Sequence, residues 1–143
     1  AVGVQSTDAE EHLVDLARLF GEKVGIAFQI KDDLFDYGDA EIGKPLGIDI
    51  KEKKMTLPLI FALQNADRST KKRIIHTIKH ESENPQKVQE VIQFVKSTGG
   101  LAYANERMNA FADEARTLLA QFPDSQYRNS LSDLIGYTIE RVK

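Results

Sequence analysis

Apolar residues recur at helical spacing along almost the whole chain, and no stretch alternates as a half-buried strand does. Thr7 and Glu10 form the S/T-x-x-E pattern that closes a helix N-terminus, with Leu13, Ala17, Phe20, Val24 and Ala27 following on one face. That pattern continues through Leu34 and stops near Gly38, which predicts a first helix of roughly 30 residues. Gly21 and Gly25 lie inside it, each costing up to about 1 kcal/mol relative to alanine. From Gly38 to Met55 the periodicity vanishes, and Gly38, Gly43, Pro45 and Gly47 punctuate a polar loop. Loops this long are uncommon in compact domains and are often functional.

Helices resume beyond it. Thr56 can cap one, with Pro58 in its first turn and Leu59, Ile60 and Leu63 inward. Asp67 or Ser69 opens the next, which turns Ile74, Ile75 and Ile78 inward. Asn84-Pro85 opens a third, with Val88, Val91, Ile92 and Val95, and Gly99-Gly100 breaks it. Leu101, Ala104, Met108, Phe111, Ala115, Leu118 and Phe122 then mark a strongly amphipathic helix ended by Pro123. Tyr127, Leu131, Leu134, Ile135, Thr138 and Val142 mark the last one. The pattern predicts an all-α fold, with residues 1–143 as a single segment.

The bulk numbers narrow the partners. The chain has 143 residues, 41% hydrophobic and 29% charged, with a formal charge of −3 and no cysteine. The mild charge gives no case for nucleic-acid binding. The missing cysteines exclude disulfides and thiolate metal sites, and fit a reducing compartment such as the cytoplasm. No apolar run is long enough to span a membrane, and the N-terminus lacks the pattern of a signal peptide.

The chemistry concentrates between Gly25 and Pro58. On a helix Asp32 and Asp36 share a face and Asp33 lies close by, so three carboxylates repel at the C-terminal end of the helix dipole, the wrong end for anions. A bound cation would offset that cost. Oxygen ligands without cysteine point to Mg²⁺ or Mn²⁺, and magnesium characteristically combines one or two carboxylates with waters and phosphate oxygens. Lys44 and Lys54 would add positive charge for the same phosphates. Gly21, Gly25, Phe28 and Asp32 form one helical stripe with Gln29 beside it, which leaves an apolar slot suited to a hydrocarbon tail. Each part also has a plain reading: a solvated acidic helix end, an exposed lysine loop, glycines for close helix packing, a core phenylalanine. His76 and His80 read as a pair on a wet helix face. The combination, in order within one short stretch, favours the metal-and-phosphate reading.

Phe28-Gln29 followed by Asp32-Asp33-Leu34-Phe35-Asp36 resembles the second aspartate-rich motif of the trans-isoprenyl diphosphate synthases. Gly43-Lys44, Gly47, Asp49, Lys54 and Thr56-Leu57-Pro58 resemble the segment that follows it in that family. The resemblance implies the all-α isoprenoid synthase fold and a Mg²⁺-dependent condensation of isopentenyl diphosphate with an allylic prenyl diphosphate. It implies Asp32 as the main metal ligand, Asp33 and Asp36 as groups completing the shell through water, and Asp49 as a further carboxylate behind them. Lys44 and Lys54 become diphosphate contacts, and Gly25, Phe28 and Gln29 residues at the mouth of the tail pocket. The flavour of the match leans to long-chain, octaprenyl-type enzymes, which are usually homodimers. The family's first aspartate-rich motif is not in the chain, which starts at Ala1 without methionine. The expectation is therefore the C-terminal part of a synthase, inactive alone. A non-catalytic subunit of a heteromeric synthase is the alternative, as is a class I terpene synthase fragment, although no N-x-x-x-S/T-x-x-x-E motif is present.

Overall fold

The computed structural model describes residues 11–38 and 47–141, and its described residues contain helices and turns but no strand. Among the described residues seven helices follow in order: α1 (Glu11–Phe35), α2 (Ile48–Lys51), α3 (Leu57–Gln64), α4 (Arg68–His80), α5 (Pro85–Ser97), α6 (Gly100–Leu119) and α7 (Gln126–Glu140). The all-α expectation holds. The Thr7 and Glu10 capping box, Lys44 and Val142 lie outside the described residues.

The chain divides into two compact units, one built from residues up to Lys31 and from Arg107 onward, the other from residues 32–106. Both α1 and α6 contribute to each.

In the second unit, helices α3, α4 and α5 pack pairwise. Their inward positions supply a core of Leu59, Ala62, Leu63, Ile74, Ile78, Val88, Val91, Ile92 and Val95, joined by Tyr37 and Ile50. The helix starts are set by local chemistry. Asp67 caps α4 by accepting from the Thr70 amide at 2.7 Å. The Asn84 side chain accepts from the Gln86 amide at 3.0 Å, ahead of Pro85 in the first turn of α5. Gly99 takes a left-handed φ of 79°, which lets the chain turn directly from α5 into α6. The next glycine serves close approach, since a Cβ at Gly100 would lie 2.6 Å from the Pro58 carbonyl oxygen. Thr56 differs from its expected role. It sits in extended backbone before α3 without capping it, because its hydroxyl is engaged elsewhere.

In the first unit, Phe20 packs with Ala112, Ala115, Leu119 and Ile135, flanked by Val24, Leu118, Phe122 and Ile139. The face expected to bury α7 is corrected here. Only Ile135 and Thr138 are fully buried, whereas Tyr127, Leu131 and Leu134 are exposed along with Tyr137.

Candidate functional site: the acidic end of the first helix

Helix α1 ends in a tightened turn. The amides of Asp36, Tyr37 and Gly38 donate to the carbonyls of Asp33, Leu34 and Phe35, each three residues back. This turn carries the side chains on either side of it into the second unit. Asp33 is 6% exposed and Asp36 is fully buried, so neither belongs to a solvated acidic helix end. Asp32 is half-buried.

The chain then returns at Gly47, and Asp36 receives it twice. Its carbonyl accepts from the Gly47 amide at 3.2 Å, and its Oδ1 accepts from the Asp49 amide at 3.2 Å. Gly47 has φ of 80°, a conformation glycine adopts without strain, and a Cβ there would lie 2.5 Å from Val88 Cγ1. The expected loop therefore contains a helix, α2. One turn of four residues is too short to leave a periodic signature.

Helix α2 closes with a Schellman arrangement. The Lys54 amide donates to the Asp49 carbonyl at 2.8 Å and the Lys53 amide to the Ile50 carbonyl at 2.9 Å. The left-handed position that glycine usually takes is filled by Lys53, at φ 61°. That reversal brings Lys54 back to α1, where its Nζ lies 3.1 Å from Asp33 Oδ1. Two residues later the Thr56 hydroxyl meets the Tyr37 hydroxyl at 3.2 Å, with both residues 1% exposed. The segment 47–56 is thus fastened to the end of α1 at three places: Asp36, Asp33 and Tyr37.

Electrostatics follow from this stitching. The Lys54 ammonium is held above its ordinary pKa, first by its hydrogen bond to Asp33 and then by the charges of Asp33, Asp49 and Asp32, with partial desolvation acting against them. The Tyr37 phenol is also pushed up, chiefly by burial, and further by the charges of Asp36, Asp49 and Asp33. The Thr56 hydrogen bond opposes that rise. Sequence reasoning missed the Tyr37–Thr56 pair. A tyrosine directly after an acidic run and a threonine before a proline helix were the available signals.

Asp33, Asp36, Asp49 and Lys54 are therefore gathered into one cluster, with the Asp32 charge felt at Lys54. Among the described residues, no group of three or more His, Asp or Glu side chains is disposed to hold a metal ion by itself. Asp33 and Asp36 each already commit Oδ1 to a donor of the chain. Magnesium characteristically takes only one or two carboxylates and fills the rest of its shell with water and phosphate oxygens.

Gly25, Phe28 and Gln29 lie on α1 in the first unit, all exposed. Among the described residues, a Cβ at Gly21 or Gly25 would meet nothing within 4 Å. The Phe28 ring lies under the Arg141 guanidinium at 4.0 Å, and Arg141 Nη2 donates to the Phe28 carbonyl at 3.2 Å. His76 and His80 lie on an exposed face of α4, as expected, with ring centroids 4.9 Å apart.

A family model described as "Polyprenyl synthetase" matches residues 1–95, the stretch that holds the whole cluster. The chain belongs to the polyprenyl synthetase family. It is 35% identical over 128 residues to an all-trans-nonaprenyl-diphosphate synthase of Rhodobacter capsulatus, covering 88% of this chain and 39% of that protein. A decaprenyl diphosphate synthase structure from Rhodobacter capsulatus superimposes with a TM-score of 0.90 at 35% identity, over 99% of this chain and 44% of the other. A geranylgeranyl pyrophosphate synthase from Bacteroides thetaiotaomicron gives 0.86 at 38% identity, over 96% and 46% respectively. A polyprenyl synthase from Caulobacter crescentus, complexed with calcium and isoprenyl diphosphate, gives 0.77 at 28% identity, over 90% and 40%. The fold is that of these synthases. The chain spans less than half the length of the curated relatives it matches. No helix among the described residues is long and apolar enough to cross a membrane.

Proposed function

We propose that the chain is the C-terminal part of a Mg²⁺-dependent polyprenyl diphosphate synthase that condenses isopentenyl diphosphate with an allylic prenyl diphosphate. The observation that carries this reading is the Lys54–Asp33 contact, 3.1 Å long, formed where α2 is fastened against the acidic end of α1. It supports the reading because it sets a lysine ammonium beside carboxylates, and the Caulobacter relative was captured with calcium and an isoprenyl diphosphate.

In this reading Asp32 and Asp33 hold the ion. Asp36 and Asp49 act behind them, Asp36 by fastening α2 and Asp49 by adding negative charge beside Lys54. Magnesium supplies positive charge for the departing diphosphate. Lys54, and Lys44 from outside the described residues, bind the same oxygens, and their charge favours the leaving group as its C–O bond breaks. The double bond of isopentenyl diphosphate then forms the new C–C bond at the allylic carbon, and a proton is lost to restore a double bond. Gly25, Phe28 and Gln29 face the hydrocarbon tail. A product of long-chain type and a homodimer in the full-length enzyme complete the proposal.

Prenyl-transfer assays with radiolabelled isopentenyl diphosphate, farnesyl diphosphate and Mg²⁺ test it. The chain alone should give no elongated product. A chimera carrying it in place of the matching segment of the Rhodobacter decaprenyl synthase should elongate, and Asp32→Ala should abolish that. Elongation by the chain alone would contradict the reading of a partial site. A folded chimera that binds Mg²⁺ and diphosphate yet transfers nothing would contradict the assigned reaction.

A further inference from the structure

Helix α4 carries a charge pattern of its own, apart from the acidic cluster at the end of α1. Its 13 residues hold Arg68, Lys71, Lys72, Arg73 and Lys79, with no acidic residue, in a chain whose formal charge is −3. Ile74, Thr77 and Ile78 are buried in the core of the second unit. On the opposite face Arg68, Lys72, His76 and Lys79 follow one another at spacings of four, four and three, all exposed. At 1.5 Å per residue they form a straight row about 16 Å long, in which Arg68, Lys72 and Lys79 are the cations.

Helix stability does not account for this row. Like charges four apart, such as Arg68 and Lys72, destabilise a helix. Lys79 and His80 suit the negative C-terminal end of the dipole, but Arg68 occupies the first turn, where a cation is unfavourable. Neutralisation by neighbours is sparse. Glu90 on α5 lies 3.8 Å from Arg73 and Glu81 lies 3.5 Å from His76. Arg68, Lys71, Lys72 and Lys79 have no acidic partner within salt-bridge distance among the described residues.

We propose that this face of α4 docks the protein electrostatically on an anionic membrane surface. The row is straight and stands on a helix anchored from behind, so its charges can approach a flat surface together. The apolar side of α4 is committed to the core, so the attachment is to headgroups, without insertion. The face carries no Phe, Tyr or Trp for a nucleic-acid base to stack on, and the chain's net charge gives no electrostatic case for nucleic acid. The choice of a membrane rests on the prenyl-transfer reading, whose products join a diphosphate head to a long hydrocarbon chain.

Vesicle co-sedimentation tests it, with the 143-residue chain and no diphosphate substrate present. The vesicles contain about 30 mol% phosphatidylserine in phosphatidylcholine, or phosphatidylcholine alone, at about 0.1 M salt. Binding should require phosphatidylserine and should be lost at roughly 0.5 M salt. Each Lys or Arg near such a surface is worth about fivefold in affinity, so R68Q/K72Q should bind about 25-fold more weakly. Lys96→Gln on α5 should bind as the parent does, and circular dichroism should show both variants equally helical. Equal binding to both vesicle types, or phosphatidylserine binding that R68Q/K72Q leaves intact, would overturn the proposal. So would tighter binding to a short DNA duplex than to the vesicles. Because no substrate is present, a failed vesicle assay leaves the Mg²⁺ and prenyl-transfer tests standing, and the reverse also holds.

Discussion

The Tyr37–Thr56 hydrogen bond offers the sharpest test of how the acidic end of α1 is held. Both side chains are 1% exposed, so neither hydroxyl can turn to water when its partner is removed. Tyr37→Phe strands the Thr56 hydroxyl, and Thr56→Val strands the phenol. Leaving such a buried group unsatisfied costs about 1–3 kcal/mol. The separation of 3.2 Å is long for an O–H···O bond, which places each single substitution toward the lower end, about 1–2 kcal/mol. The double variant removes donor and acceptor together, so it should recover about 0.5–1 kcal/mol relative to the sum of the singles. Urea unfolding followed by far-UV circular dichroism reads this directly, since about 1 kcal/mol moves the midpoint by roughly 0.5–1 M. Additivity of the two substitutions within about 0.3 kcal/mol would refute the bond as an energetic fastening.

Three further outcomes follow from the same region. Tyr37 and Lys54 both have pKa values raised in the folded chain, so their protonated forms are favoured on folding. Their contribution is fully present below the ordinary values of about 10 and is lost as pH rises beyond them. Alkaline unfolding should therefore steepen there, and Tyr37→Phe should flatten the curve in a pH series of urea midpoints. Gly47→Ala places a Cβ against Val88 in a left-handed conformation, and should cost about 2–4 kcal/mol in the same unfolding assay. Combined with Val88→Ala, it should cost less than the sum of the two; strict additivity would contradict the close approach. Lys53→Gly should stabilise the chain by up to about 1 kcal/mol, because it relieves a left-handed lysine at the end of α2. A destabilised Lys53→Gly would mean that the lysine side chain contributes more than its backbone costs.

How much of this was legible depends on scale. Helices α3 to α7 show in the sequence because each offers several turns of apolar spacing with a cap or breaker at its start. Asp67, Asn84-Pro85 and Gly99-Gly100 act locally as their types predict. Helix α2 was hidden because one turn has no period and its Schellman residue is a lysine. The hydroxyl of Thr56 looked like a cap in one dimension, and only the fold could bring Tyr37 to compete for it. The acidic residues stood out in the sequence by their order, but their partners in the fold did not. Burial of Asp36 and pairing of Asp33 with Lys54 depend on a return of the chain that spacing along α1 cannot encode. On α7, Leu131, Leu134 and Tyr127 read as core because apolar residues cover more of that helix than its own unit buries.

If Asp32, Asp33 and Lys54 form one part of a metal–diphosphate site, as proposed above, carboxylates and phosphate hold the ion jointly. Isothermal titration of Mg²⁺ into the chain, with and without inorganic pyrophosphate, tests it most directly. Binding by the chain alone should be weak and should become at least about tenfold tighter with pyrophosphate, with that enhancement lost in Lys54→Ala. Tight Mg²⁺ binding without pyrophosphate, or an enhancement indifferent to Lys54, would contradict it.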